Sequence, residues 1–182
     1  DLALLVKECF GEDCSSLRIA ANLPYYITTD VLTKLMNELP QAQSIAVMIQ
    51  KEVGDKLLSR PGEDGYGPLA VMCQYHYNVV RALDVPAACF NPPPKVDSSF
   101  MVLERLETPY VDGGDEAVFT RLVRSAFAMR RKTLLNNLIS GFALNREQAA
   151  SYLEAVGLSV QARAEELSLE DFAKLSRQLQ SL

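Results

Sequence analysis

The first part of the chain carries two hydrophobic rhythms, and the last part carries only one. Residues 16–23 ("SLRIAANL") and 44–50 ("SIAVMIQ") are short, nearly continuous apolar runs that predict buried strands. Residues 78–86 ("NVVRALDVP") predict a third strand, and the alternation in 95–107 ("KVDSSFMVLERLE") predicts a fourth. Residues 1–8 read as the tail of a helix, followed by a loop around Gly11. Thr28, Thr29 and Asp30 are N-cap residue types ahead of "VLTKLMNEL", where Val31, Leu32, Leu35, Met36 and Leu39 recur at helical spacing. "KEVGDKLLS" (51–59) predicts a short amphipathic helix, the Gly- and Pro-rich 60–68 a loop, and 69–77 a further helical stretch. Strands alternating with helices, then two late strands, predict an α/β layer built on a mostly parallel sheet.

From residue 116 onward no β-like segment occurs. "EAVFTRLVRSAFAMRRKTLLNNLI" (116–139) is one long helical pattern, interrupted near Met129. Asn145 is placed to cap "REQAASYLEAVG", which stops at Gly157. Ser168 and Asp171 have the spacing of a capping box ahead of "LEDFAKLSRQLQ". The pattern therefore predicts two domains, an α/β domain over residues 1–110 and a small all-helical domain over 111–182, joined at about 108–115.

Composition narrows the function classes. At 182 residues and 48% hydrophobic, the chain is long enough for one or two domains with real cores. It has no apolar run long enough for a membrane span, and no signal-peptide pattern opens it. It begins on Asp1-Leu2, inside an apolar-periodic stretch, which predicts a piece of a longer protein. Cys9, Cys14, Cys73 and Cys89 form no CxxC pair, and His76 is the single histidine, so a metal site is not expected. The cysteines read as buried free thiols of a cytoplasmic protein. A net charge of −5 does not advertise a nucleic-acid partner, although net charge averages over faces and domains.

The chemistry-bearing stretch is "AANLPYYIT" (20–28), directly behind the first strand. In an open α/β sheet, ligands bind at the carboxyl ends of the strands. There Asn22 offers an amide with one acceptor and two donors in a plane, which matches a nucleobase edge. Pro24 fixes its own φ and restricts Leu23, holding nearby carbonyls in place. Tyr25 supplies a flat face for stacking. Together these groups suit an exocyclic amine, aligned by positioning for attack on an electrophile. The structural alternative is a strand-to-helix turn shaped by Pro24 with packed tyrosines.

Five segments appear in one order and spacing: "ANLPYYIT", "MIQKEVGDKL", "CFNPPPKVDSSF", "AFAMRRKTLLNNL" and "RAEELSLEDF". Over essentially the whole chain they resemble the ribosomal RNA adenine dimethyltransferases, relatives of the macrolide-resistance rRNA methyltransferases and of the mitochondrial transcription factor B proteins. The resemblance implies the C-terminal part of a class I, Rossmann-like methyltransferase sheet using S-adenosylmethionine, followed by a helical RNA-contacting domain. It implies N6,N6-dimethylation of adenosines in small-subunit (16S) rRNA, with the 30S precursor as partner. By the same resemblance Asn22 and Tyr25 grip the target adenine, Leu23 and Pro24 form the frame, and Phe90 is the second ring. Asn22 also lies beside the cofactor. Read alone, Phe90 is equally a core aromatic before a proline-rich turn. The wording of "FNPPPKVDS" and "RAEELS" favours the small-subunit branch over a large-subunit resistance enzyme, and the intact Asn-Leu-Pro-Tyr favours an enzyme over a non-catalytic relative.

One departure stands out. No glycine-rich loop follows a strand, and no acidic residue stands where the family's cofactor ribose would be held. By the family's order those parts lie upstream of residue 1, so the chain is expected to be inactive alone. Between Ala117 and Arg146 there is no acid, while Arg121, Arg124, Arg130, Arg131, Lys132 and Arg146 are cationic. Such a stretch in an acidic protein is the local footprint of phosphate contact, and Arg124, Arg130, Arg131 and Lys132 are the candidates, with Thr133, Asn136 and Asn137 as further donors. Lys51 and Lys95 read either as phosphate contacts or as surface charges.

Overall fold

The computed structural model describes residues 1–11 and 16–180; Cys14 and the end of the loop expected beyond Gly11 lie outside the described residues. The chain forms two compact units, Asp1–Leu58 with His76–Glu107, and Ser59–Tyr75 with Thr108–Leu182. The chain thus crosses between units three times, whereas the sequence predicts a single junction near 110. The added segment joins the later helices because Tyr66, Val71 and Tyr75 bury their apolar surface in the same core as Phe119 and Leu122.

The first unit is built on a four-stranded sheet of β1 (Arg18–Asn22), β2 (Ser44–Gln50), β3 (Tyr77–Val85) and β4 (Ser98–Arg105), in the order β1-β2-β4-β3. β1 pairs with β2 in parallel, while β4 pairs antiparallel with both β2 and β3. Three strands therefore share a direction and β4 alone opposes them. Only one of the three ladders is parallel, because the segment from Pro86 to Asp97 holds a 3-10 turn at Ala87–Cys89 and no helix to carry a parallel crossover. A bulge between Arg81 and Leu83 sets Asp84 opposite Ser99 and Val85 opposite Ser98.

Burial separates the strands. β2 alternates, with Ile45, Val47 and Ile49 fully buried and the residues between them half-buried. β1, expected to be buried, has Arg18, Ala20 and Asn22 exposed and Ile19 and Ala21 half-buried, because among the described residues it has a neighbour on one side only. Helix α1 (Leu2–Phe10) is capped by the Asp1 side chain and buries none of its residues. Helix α2 (Thr28–Glu38) buries Leu32 and Leu35. Its start corrects the capping expected from Thr28 to Asp30: these residues lie inside the helix, and the Thr28 hydroxyl donates back to the Pro24 carbonyl at 3.2 Å. Helix α3 (Lys51–Leu58) lies across the sheet, where Gly54 permits close approach. A Cβ there would stand 3.1 Å from Met101 Sδ and 3.3 Å from Ser99 Cβ.

The second unit holds α4 (Pro68–His76, up to Tyr75), α5 (Glu116–Ala126), α6 (Leu134–Phe142), α7 (Arg146–Ala155) and α8 (Leu169–Leu179). The long helical pattern of 116–139 is cut at 127–133, because Phe127 turns inward to meet Tyr66 and Phe172, with ring centroids at 6.3 and 6.0 Å. Asn145 with Gln148 and Ser168 with Asp171 form capping boxes, and Gly157 takes φ 75° just past α7. Cys73 is buried and its thiol is pushed up to about 12 by desolvation, whereas Cys9 and Cys89 are exposed, contrary to the expectation of buried thiols. Among the described residues no helix is long and apolar enough to cross a membrane, and no group of three or more His, Cys, Asp or Glu is placed to hold a metal.

A close approach of two helices gives a test. A Cβ on Gly141 of α6 would overlap the Ser125 side chain of α5. Gly141→Ala is expected to destabilise the fold by about 1–3 kcal/mol through overpacking. Denaturant unfolding measures this, and Ser125→Gly in the same background is expected to recover much of the loss.

Candidate active site

Chain direction brings four segments to one edge of the sheet. β1 ends at Asn22, β2 at Gln50 and β3 at Val85, while β4, running the other way, begins at Ser98 opposite Gln50 and Val85. This is the carboxyl edge of the three like-directed strands, where ligands of open α/β sheets bind. The parallel ladder reaches one residue past β1, with Leu23 N–H donating to the Met48 carbonyl at 3.1 Å. The buried Leu23 side chain and this bond fix the start of the turn. Asn22 is exposed, and its side-chain amide has no protein partner among the described residues. The Pro24 carbonyl already accepts from Ile27 N–H and Thr28 Oγ1, each at 3.2 Å, whereas the Leu23 carbonyl has no donor among the described residues. Tyr25 opens a 3-10 turn (Tyr25–Ile27) and is half-buried, whereas Tyr26 is 86% exposed.

Phe90 is half-buried at the end of the 3-10 turn 87–89, closed by Phe90 N–H to the Ala87 carbonyl at 3.1 Å. It is joined to the Asn22–Tyr25 turn through the first residues of β4. Asp97 Oδ1 accepts from Ala87 N–H at 2.9 Å, the Asp97 carbonyl accepts from Lys51 N–H at 2.9 Å, and Ser98 Oγ shares a 2.7 Å hydrogen bond with the Tyr25 hydroxyl. Ser99 Oγ donates to Asp84 at 2.6 Å. That bond, with Lys51 Nζ at 3.0 Å, holds the Asp84 carboxyl below its usual range. Lys51 is thus balanced by Asp84 and by Asp55 at 3.9 Å. Lys95 is exposed beside a cavity of about 380 Å³ that Lys51 and Asp97 also line. The sequence reading missed Asp97, Ser98 and Asp84. The visible signal was three successive polar residues at the head of a strand, two of which prove to be fully buried.

The basic candidates lie in the other compact unit. Arg124 is exposed on α5, and Arg130, Arg131 and Lys132 are exposed on the turn between α5 and α6. That turn is pinned from outside: Arg163 donates to the Arg130 carbonyl, and Leu134 N–H donates to the Ala162 carbonyl at 2.8 Å. Asn137, expected as a phosphate donor, is buried and donates instead to the Ala126 carbonyl at the end of α5. Asn136 donates to Thr133 Oγ1 at 3.0 Å. Arg121 is also occupied, donating to the Gly141 carbonyl at 2.8 and 3.1 Å with its guanidinium 4.6 Å from the Phe142 ring centre. The stretch is free of acids in sequence but not in space. A cavity of about 310 Å³ has Arg130, Arg131, Lys132 and Arg163 in its wall together with Glu63, Asp64 and Glu165.

Comparison with known proteins gives a consistent result. A sequence model of the family described as ribosomal RNA adenine dimethylase matches residues 5–181. A Ribosomal RNA small subunit methyltransferase A of Clostridium acetobutylicum is 44% identical over 169 residues, covering 93% of this chain and 60% of that protein. A protein of the same name from Bacillus mycoides is 43% identical over 180 residues, covering 96% of this chain and 62% of the relative. The chain thus spans about three fifths of the length of these curated relatives. Among solved structures, a dimethyladenosine transferase from Plasmodium falciparum shares the fold with a TM-score of 0.75 at 24% identity, over 91% of this chain and 67% of that one. The 23S rRNA methyltransferase ErmE does so with a TM-score of 0.65 at 21% identity, over 98% of this chain and 78% of its own. With a family match over nearly its whole length and relatives above 40% identity, the chain belongs to the ribosomal RNA adenine dimethylase family.

Proposed function

We propose that this chain supplies the target-base half of a ribosomal RNA adenine dimethyltransferase, which methylates N6 of adenosines in small-subunit (16S) rRNA during ribosome assembly. The observation that carries the reading is the Asn22–Tyr25 turn. Among the described residues it presents an amide and a Leu23 carbonyl without protein partners at the carboxyl edge of the sheet, beside an anchored ring. In this reading Asn22 Oδ1 and the Leu23 carbonyl accept the two N6–H bonds of an extruded adenine, while Tyr25 and Phe90 hold the plane of the base. Both N–H bonds are then fixed, which leaves the lone pair of the amine nitrogen directed out of the ring plane for reaction. The gain comes from orientation and from polar groups already in place. Family membership and the names of the relatives support this reading.

The methyl donor implied is S-adenosylmethionine, which supplies an electrophilic methyl group. The described residues do not make its site. β1 runs into Leu23-Pro24, β2 into Lys51-Glu52-Val53 and β3 into Pro86, so none of the three like-directed strands leads into a glycine-rich turn at a helix N-terminus. Asn22, at the end of β1, is the one residue offered here toward the donor. Methyl transfer is therefore expected from a protein extended to the length of its relatives and not from these 182 residues alone. A methyl-transfer assay of both on small-subunit substrate decides this.

In the extended protein, Asn22→Ala is expected to lower methyl transfer by on the order of 10²–10³ with little change in RNA affinity. Tyr25→Ala and Phe90→Ala are each expected to lose roughly 1–3 kcal/mol of base stacking. Steady-state kinetics alongside RNA binding separate these effects, and near-normal turnover by Asn22→Ala would remove the amine-gripping role.

Arg130, Arg131 and Lys132, with Arg124, are the proposed phosphate contacts. Replacing the three turn residues with Ala is expected to weaken RNA binding without changing which adenosine is modified. Each lost contact should flatten the slope of log affinity against log salt by about 0.7–0.9. RNA titrations at several salt concentrations measure it. An unchanged slope and affinity would return these residues to an ordinary solvated surface.

A further inference from the structure

The two rings assigned to the target base both lie on connecting segments, and such segments hold a ring in place only where other bonds tie them down. In this protein the ties converge on two consecutive residues. The Tyr25 hydroxyl bonds Ser98 Oγ at 2.7 Å. The turn that carries Phe90 begins at Ala87, whose N–H donates to Asp97 Oδ1 at 2.9 Å, and closes through Phe90 N–H to the Ala87 carbonyl. The Asp97 main chain is in turn fixed, its carbonyl accepting from Lys51 N–H at the start of α3. Ser98 is fully buried and is paired with both Gln50 of β2 and Val85 of β3, so it is a fixed point. A buried hydroxyl costs free energy when unpaired, and the Tyr25 hydroxyl is the partner it has.

We propose that Asp97 and Ser98 are positioning residues for methyl transfer, which hold the Tyr25 and Phe90 rings in a common frame so that an adenine fits between them in one orientation. The inference rests on the reading of Tyr25 and Phe90 as base-gripping rings. Neither Asp97 nor Ser98 need touch the base. Their effect passes through a ring already seated when RNA arrives, so their loss lowers the rate of the chemical step more than the affinity for RNA.

The test uses the protein extended to its relatives' length, with kcat, KM and RNA affinity measured on small-subunit substrate. Ser98→Ala and Tyr25→Phe each remove one end of the same bond. Each is expected to lower kcat on the order of tenfold while KM and RNA affinity change less than about twofold. Because they break one interaction, the double variant is expected to be no slower than the slower single variant. Ser98→Thr, which keeps a hydroxyl, is expected to restore most of the rate. Asp97→Ala is expected to lower kcat, and to add little in a Phe90→Ala background. Unfolding midpoints are measured throughout, and Tyr25→Phe, which makes its change at the half-buried end of the bond and keeps the Ser98 side chain, carries the test should Ser98→Ala fail to fold. Wild-type kcat for Ser98→Ala and Tyr25→Phe, with Tyr25→Ala impaired, would overturn the positioning role and leave the base-gripping reading standing. Wild-type kcat for Tyr25→Ala would overturn both. Fully additive losses in the double variant would also overturn the shared bond as the cause.

Discussion

The reversal of β4 is the constraint on which the candidate site depends. Three strands deliver their carboxyl ends to one edge of the sheet, and an antiparallel strand inserted between two of them delivers its beginning to the same edge. A strand's end offers whatever turn follows it. A strand's beginning can place short polar side chains that are already locked by ladder bonds on both sides. Ser98 and Ser99 occupy that place with Asp97 just before them, and between them the three reach the turn after β1, the helix after β2, the loop after β3 and the last residues of β3 itself. Had β4 been parallel, these three residues would lie at the opposite edge.

This placement also explains why buried polar groups are tolerated there. Ser98 and Ser99 are fully buried, yet each has a partner, the Tyr25 hydroxyl and the Asp84 carboxylate. Asp84 is itself balanced by Lys51 and Arg81, the latter also paired with Asp55. The network is connected from the interior to the solvent, so its charges remain hydrated while its hydroxyls are satisfied. The consequence is a rigid floor under an otherwise open turn. The side-chain amide of Asn22 is left without a protein partner among the described residues.

The helical unit applies the same economy to its basic turn. Arg130, Arg131 and Lys132 are consecutive and exposed, and their mutual repulsion works against any single arrangement. Asn137 and Arg163 hold the flanking carbonyls, and Phe127 locks the entry to the turn against Tyr66 and Phe172. Glu63, Asp64 and Glu165 line the same cavity and temper the positive field. Cations presented by a pinned turn retain their spacing, which is what the proposed phosphate contact requires of them.

Local chemistry made much of this legible in the sequence. The helical period of 31–39, the cap at Asn145, the capping box at Ser168, the stop at Gly157 and the strand at 44–50 each depend on residues a few positions apart. The order Asn-Leu-Pro-Tyr behind an apolar run likewise placed a turn at the end of β1, because a strand end and a proline-restricted turn are set by neighbours in the chain. The direction and insertion of β4, the exposure of β1, the break at Phe127 and the recruitment of residues 59–75 to the helical core were decided only by packing. So were the partners of Ser98, Asp97 and Asn137, which come from 73, 10 and 11 residues away. Neighbouring residues fix backbone preference and periodicity, but which distant surfaces meet depends on burying the most apolar area with every polar group satisfied. That condition is met only once the whole chain has folded.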